Sequence, residues 1–94
     1  MRVLPRVVIV DDDELIVTMI TRALQREGYD VRSENSALRI VETIRSWSPS
    51  VVLLDIRLPE RSGIEVLEEI VRDELHTQVI MLTADDSAES AVKA

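Results

Sequence analysis

The sequence has no cysteine, so it offers neither a disulfide nor a thiolate metal site. Basic residues are few: the chain has 11 Lys and Arg against 18 Asp and Glu, which gives a formal net charge of −7. At that charge we expect no direct binding of nucleic acid or an anionic membrane. Long apolar runs are missing too, since residues 7–10 lead straight into three aspartates, which predicts neither a signal peptide nor a membrane span. We therefore expect one cytoplasmic domain over residues 1–94.

Strand-like and helix-like patterns alternate along the chain. Short apolar runs at 7–10, 51–54 and 79–82 predict strands, and 30–35 is a weaker run suited to a sheet edge. Apolar residues at helical spacing predict four helices: one that stops near Gly28, one over 36–47, one after a capping box at 62–65, and one after 86–89. The apolar face of the first helix comprises Leu15, Ile16, Met19, Ile20, Ala23 and Leu24; the inward residues expected in the second are Ala37, Ile40, Val41, Ile44 and Trp47, and in the third Ile64, Leu67, Ile70 and Val71.

This alternation predicts an α/β fold, with parallel strands joined by helices that cover both faces of the sheet. Ligands of such sheets bind beyond the carboxyl ends of the strands. Polar residues stand at three of these ends, namely 11-DDD-13, Asp55 and Thr83. We expect them to lie along one edge of the sheet.

Asp11, Asp12 and Asp55 would repel one another at that edge and would therefore attract a cation or a proton. Oxygen ligands without His or Cys favour Mg²⁺, with Mn²⁺ as a second candidate. A carboxylate beside such a cation can attack phosphorus, and the Thr83 hydroxyl can donate to a phosphoryl oxygen. The pattern therefore predicts that Asp55 is a phosphoryl acceptor, although three aspartates before a helix also fit simple N-capping.

Three stretches, 7-VVIVDDD-13, 50-SVVLLDIRLPERSG-63 and 79-VIMLTA-84, resemble the receiver domain of bacterial two-component response regulators. The resemblance covers the whole chain. It implies a flavodoxin-like, doubly wound parallel sheet of strand order 2-1-3-4, with the family's fifth strand and fifth helix missing. Lys93, the only lysine, does not match the lysine of that fifth strand.

The resemblance also implies roles for individual residues. Asp55 would be the phosphorylation site, and Thr83 the switch hydroxyl that moves to the phosphoryl group. Asp12 and Asp55 would ligate Mg²⁺ directly. Asp11 would act mainly through a bound water, and the main-chain carbonyl of Arg57 would complete the protein ligands.

The implied function is that of a signalling domain and not of an enzyme. A sensor histidine kinase would be the phosphoryl donor, and an output domain, which regulates transcription in many such proteins, would be covalently linked outside this chain. We also expect self-association through residues 79–94, because the strand 79–82 would lie at the sheet edge without charges or prolines to prevent pairing.

Two other classes fit part of the pattern. In a phosphohydrolase of the haloacid dehalogenase type, 11-DDD-13 would supply a nucleophile and an acid, but Asp55 would have no role. In a protein-interaction module, the acidic site would be vestigial. Retention of Asp11, Asp12, Asp55 and Thr83 together argues against that second alternative.

Overall fold

Four parallel strands form one sheet in the order β2-β1-β3-β4, as predicted. The structure, a computed structural model, describes residues 4–58 and 60–82. The predicted fourth helix therefore lies outside the described residues. The elements are β1 (Arg6–Val10), α1 (Glu14–Arg26), β2 (Asp30–Glu34), α2 (Ile40–Trp47, after a 3₁₀ turn at Ala37–Arg39), β3 (Val51–Asp55), α3 (Gly63–Arg72) and β4 (Gln78–Leu82).

The strand register brings the acidic residues to one edge of the sheet. Val10 of β1 pairs with Leu54 of β3, so the two residues that follow them, Asp11 and Asp55, stand side by side. Asp55 in turn pairs with Leu82, the last residue of β4. The carboxyl ends of the three strands thus meet, which confirms the predicted edge.

One face of the sheet packs against α2 and α3. Alternate residues of β1 and β3 pack there against both helices. Trp47, the last residue of α2, belongs to the same core. Trp47 also lies beneath two guanidinium groups, with Arg32 at 4.4 Å and Arg6 at 5.6 Å from the ring centroid. The buried members of this core include Val8, Val10, Ile40, Ile44, Trp47, Val52, Leu54, Val66 and Ile70.

The opposite face is covered by α1 alone within the described residues, and this cover is thin. No residue of α1 is buried, and Leu15 and Met19 are 69% and 63% exposed. The apolar face that the spacing predicted is present, but it is not packed along its whole length, since its members Leu15, Met19 and Ala23 are exposed. The amphipathic pattern determines which side of the helix is apolar. Burial of that whole side requires neighbouring elements that pack against all of it.

The inward face of α3 also differs from the prediction. Ile70 is buried and Leu67 packs against the core, as expected, but Ile64 and Val71 are 49% and 68% exposed. Val66, which the prediction omitted, is fully buried. Val66 and Ile70 are four residues apart and share the side that faces the sheet, whereas Ile64 and Val71 lie together on a flank of the helix.

The predicted ends of the first two helices are confirmed. Gly28 follows α1 with a φ of +92°, and the N–H of Tyr29 donates to the carbonyl of Leu24 at 3.1 Å. Ser48 caps α2 with a φ of +53°, directly before Pro49. Within the described residues, no helix is long and apolar enough to cross a membrane.

Candidate functional site

Three carboxylates meet at the carboxyl edge of the sheet. Asp11, Asp12 and Asp55 each offer an oxygen, and these oxygens lie within 4.8 Å of one another. Asp11 and Asp55 are only 6% and 5% exposed, whereas Asp12 is exposed to solvent. The three residues line a cleft of about 410 Å³ together with Arg57 and the last residue of β4. The predicted convergence of the aspartates is confirmed.

Backbone amides hold the two buried carboxylates in place. Asp11 Oδ1 accepts from the N–H of Asp13 at 2.9 Å, and Asp55 Oδ1 accepts from the N–H of Arg57 at 3.0 Å. Each bond engages one oxygen of its carboxylate and fixes the direction of the other. Asp55 is therefore an oriented carboxylate in a cleft open to solvent.

The third aspartate of the run has a structural task. Asp13 is the N-cap of α1, and its Oδ1 accepts from the N–H of Leu15 at 3.0 Å and of Ile16 at 3.3 Å. The N-capping interpretation is thus correct for Asp13, although all three aspartates line the cleft.

Burial raises the pKa of Asp11 above its usual range, and the neighbouring charges of Asp55 and Asp12 raise it further, against a lowering by the bond from the N–H of Asp13. A raised pKa means that the folded protein holds this proton more tightly than the unfolded chain does. Stability is therefore lost as the pH rises from the unfolded pKa through the folded one. Ionised carboxylates this close together repel one another, a cation would relieve that repulsion, and the all-oxygen donor set suits a hard cation.

The loop between β3 and α3 folds back, so that the start of α3 lies close to the end of β3. An isolated bridge pairs Arg57 with Ser62, and the N–H of Gly63 donates to the carbonyl of Ile56 at 2.8 Å. Ser62 then caps α3 by accepting from the N–H of Ile64 at 3.1 Å. These bonds fix the backbone of Arg57, whose carbonyl is the fourth predicted ligand group.

Gly63 has a role that the sequence alone did not reveal, since a glycine there fits an ordinary turn. A Cβ atom at this position would lie 2.2 Å from the carbonyl oxygen of Asp55. The helix start and the end of β3 can approach this closely only because Gly63 has no side chain. Thr83, the predicted switch hydroxyl, lies outside the described residues.

The site combines an oriented carboxylate with acidic neighbours at the carboxyl edge of a parallel α/β sheet. This arrangement fits a phosphoacceptor signalling domain. Residues 7–94 match the model of the response regulator receiver domain. The chain belongs to this family, whose members are the phosphoacceptor domains of two-component systems. The resemblance, the flavodoxin-like fold and the strand order 2-1-3-4 are thereby confirmed.

Individual relatives agree with this assignment. The regulatory protein AtoC of Escherichia coli is 35% identical over 94 residues, which are 100% of this chain and 20% of AtoC. The chain thus spans about a fifth of that relative. The receiver domain of a putative Luxo repressor protein of Vibrio parahaemolyticus is 30% identical, with a TM-score of 0.85 over 97% of this chain and 70% of that one.

A third relative was solved with a metal. The response regulator TrrA of Thermotoga maritima, in complex with Mg(2+)-BeF, is 31% identical. Its TM-score is 0.82, and the match covers 93% of this chain and 76% of that one.

Proposed function

We propose that Asp55 accepts a phosphoryl group in a Mg²⁺-dependent reaction. The observation that carries this proposal is the cluster of oxygens from Asp11, Asp12 and Asp55 within 4.8 Å, at the edge where the family places its acceptor. Asp12, Asp55 and the carbonyl of Arg57 would hold the cation directly, with Asp11 acting mainly through a bound water. A bound Mg²⁺ would offset the negative charge of the carboxylates and of the incoming phosphoryl group.

The chain's own groups prepare the acceptor. The N–H of Arg57 holds Asp55 Oδ1, so that Oδ2 is the oxygen that attacks phosphorus. A new O–P bond forms as the N–P bond of a phosphohistidine breaks, and the histidine nitrogen keeps the electron pair.

The proposed donor is a sensor histidine kinase. We propose further that Thr83, which follows the register partner of Asp55, is the switch hydroxyl, and that the phosphoryl group controls an output domain linked to this chain. Both roles are supported by family membership and by the partial coverage of the longer relatives. A cytoplasmic location and a signalling role without enzymatic turnover follow from the same proposal.

Titration with Mg²⁺ tests the metal site. At a Mg²⁺ concentration of 100 times its Kd, the free energy of unfolding of the wild-type protein should rise by about 2.7 kcal/mol. Asp12→Ala should lose most of this rise, because it removes an exposed direct ligand. Thermal unfolding measures the effect, and Mn²⁺ should act in the same way because it accepts the same oxygen ligands.

A matched control is Asp30→Ala, which removes the same charge from an exposed position where β2 begins, at the opposite edge of the sheet. Its response to Mg²⁺ should equal that of the wild type. A full Mg²⁺ response in Asp12→Ala would reject the assignment of the ligands.

We also propose that the protein self-associates through residues 79–94. Within the described residues β4 is an edge strand, and its Ile80 is 51% exposed beside the thinly covered face of the sheet. An uncharged, unpaired edge of this kind favours pairing with a second copy. We expect light scattering over a concentration series to detect a dimer, which Ile80→Lys should dissociate; a wild-type monomer at every concentration would contradict this expectation.

A further inference from the structure

Arg61 joins the loop after β3 to the side of α3. Its NH1 group donates to Glu69 Oε1 at 2.7 Å, and its NH2 group donates to the carbonyl of Glu65 at 3.3 Å. Its Nε lies 3.9 Å from Glu65 Oε2. One guanidinium therefore spans a full turn of α3, from Glu65 to Glu69.

These contacts are better shielded than an ordinary surface ion pair. The side chains of Arg61 and Glu69 are 29% and 23% exposed, whereas Arg45, which pairs with Asp73 between α2 and α3, is 59% exposed. Partial burial and several charge-assisted bonds strengthen such a contact relative to an exposed pair. Arg61 is thus a fixed part of the loop.

The loop that Arg61 fixes also carries the backbone of the metal site. Arg57 bridges to Ser62, the residue next to Arg61, and its N–H donates to the carboxylate of Asp55. A movement of Arg61 away from α3 would therefore be passed through Ser62 to Arg57. The two groups that it would displace are the Arg57 carbonyl and the amide that orients Asp55.

We propose that Arg61 is a positioning residue for the cation site. Its bonds to Glu65 and Glu69 hold the Arg57 carbonyl and the Asp55 carboxylate in the positions from which they would bind the cation. This inference rests on the proposed function. It adds to that function a pair of side chains, Arg61 and Glu69, that touch neither the cation nor the phosphoryl group. Partners of this outer kind orient the direct ligands of a metal.

The effect of Arg61→Met on Mg²⁺ binding distinguishes a positioning role from a direct effect of the charge. The variant removes a positive charge from the loop that follows Asp55, so electrostatics alone predicts Mg²⁺ binding that is unchanged or tighter. Loss of positioning predicts the opposite, a Kd for Mg²⁺ about tenfold higher. Glu69→Gln should weaken binding to a similar degree, and the double variant should be no weaker than either single one, because both changes break the same contact.

The matched control for Glu69→Gln is Glu68→Gln, which makes the same change of charge at an exposed neighbouring position on α3. Its Kd should stay within about twofold of the wild type, as for an exposed charge. Calorimetric titration with Mg²⁺ measures all of these constants.

Hydrogen exchange of the metal-free protein supplies a readout that needs no cation. In Arg61→Met the amides of Arg57 and Gly63 should exchange faster, while those of β1 stay unchanged. Unaltered Mg²⁺ binding by Arg61→Met, in a wild-type protein that binds, overturns the positioning role alone. A wild-type protein that binds no Mg²⁺ overturns both this role and the proposed function.

Discussion

Asp55→Asn should take up no phosphoryl group from a small acyl phosphate donor in the presence of Mg²⁺, whereas the wild-type protein should be labelled at Asp55. Asparagine has nearly the same shape, and its Oδ1 can still accept from the N–H of Arg57. It lacks the anionic oxygen that attacks phosphorus. The expected effect is therefore complete loss of labelling with the fold retained, measured by mass spectrometry of the intact protein and of its peptides.

The neighbouring Asp13→Asn is the matched control. It makes the same chemical change two residues from Asp11, and asparagine serves as an N-cap as well as aspartate does. Labelling of this variant should persist. A phosphoryl group found on Asp11 in the wild-type protein would favour the phosphohydrolase alternative and contradict the assignment of Asp55.

Gly63→Ala should be the most destabilising single substitution near the site, with a loss of about 3 kcal/mol in the free energy of unfolding. The new Cβ would meet three backbone atoms, the carbonyl oxygen of Asp55 at 2.2 Å, Ile56 Cα at 2.9 Å and the carbonyl carbon of Asp55 at 3.0 Å. Backbone atoms cannot turn aside as a flexible side chain would, so the helix start or the strand end must shift. Urea unfolding measures the loss.

Gly28→Ala separates this clash from the effect of the backbone conformation. Apart from its chain neighbours, no described residue has an atom within 4 Å of a Cβ built at Gly28, but its φ of +92° is strained for alanine. That variant should lose only about 1 kcal/mol, the usual cost of a left-handed conformation. If Gly63→Ala is as stable as the wild type, the close approach to Asp55 does not constrain the protein.

The acidic site was largely predictable from the sequence because parallel strands place their carboxyl ends on one edge. Asp11, Asp12 and Asp55 needed only the order of the strands to be brought together. The separate role of Asp13 was harder to predict, since three adjacent aspartates look alike until the helix start at Glu14 is known. Its side chain reaches the free amides of the first turn, and those of its neighbours do not.

Packing across elements was less predictable. The periodicity of α1 identified an apolar side but could not tell how much of it a neighbour would cover, and Leu15 remained exposed. In α3 the apolar residues form one broad face, so the pattern alone did not distinguish Val66, which is buried, from Ile64, which is exposed. The close approach at Gly63 and the contacts of Arg61 depend on distances between segments, which no local pattern encodes.

Because no residue of α1 is buried, we expect the two sides of the cleft to differ in local stability. Asp55 belongs to a strand buried in the main core, whereas Asp12 is attached to the start of a helix with no buried residue. Local unfolding of α1 would release Asp12 while Asp55 stayed in place. A cation held by both carboxylates, as proposed, would therefore select the molecules in which the helix is docked, and its apparent affinity would include the free energy of that docking.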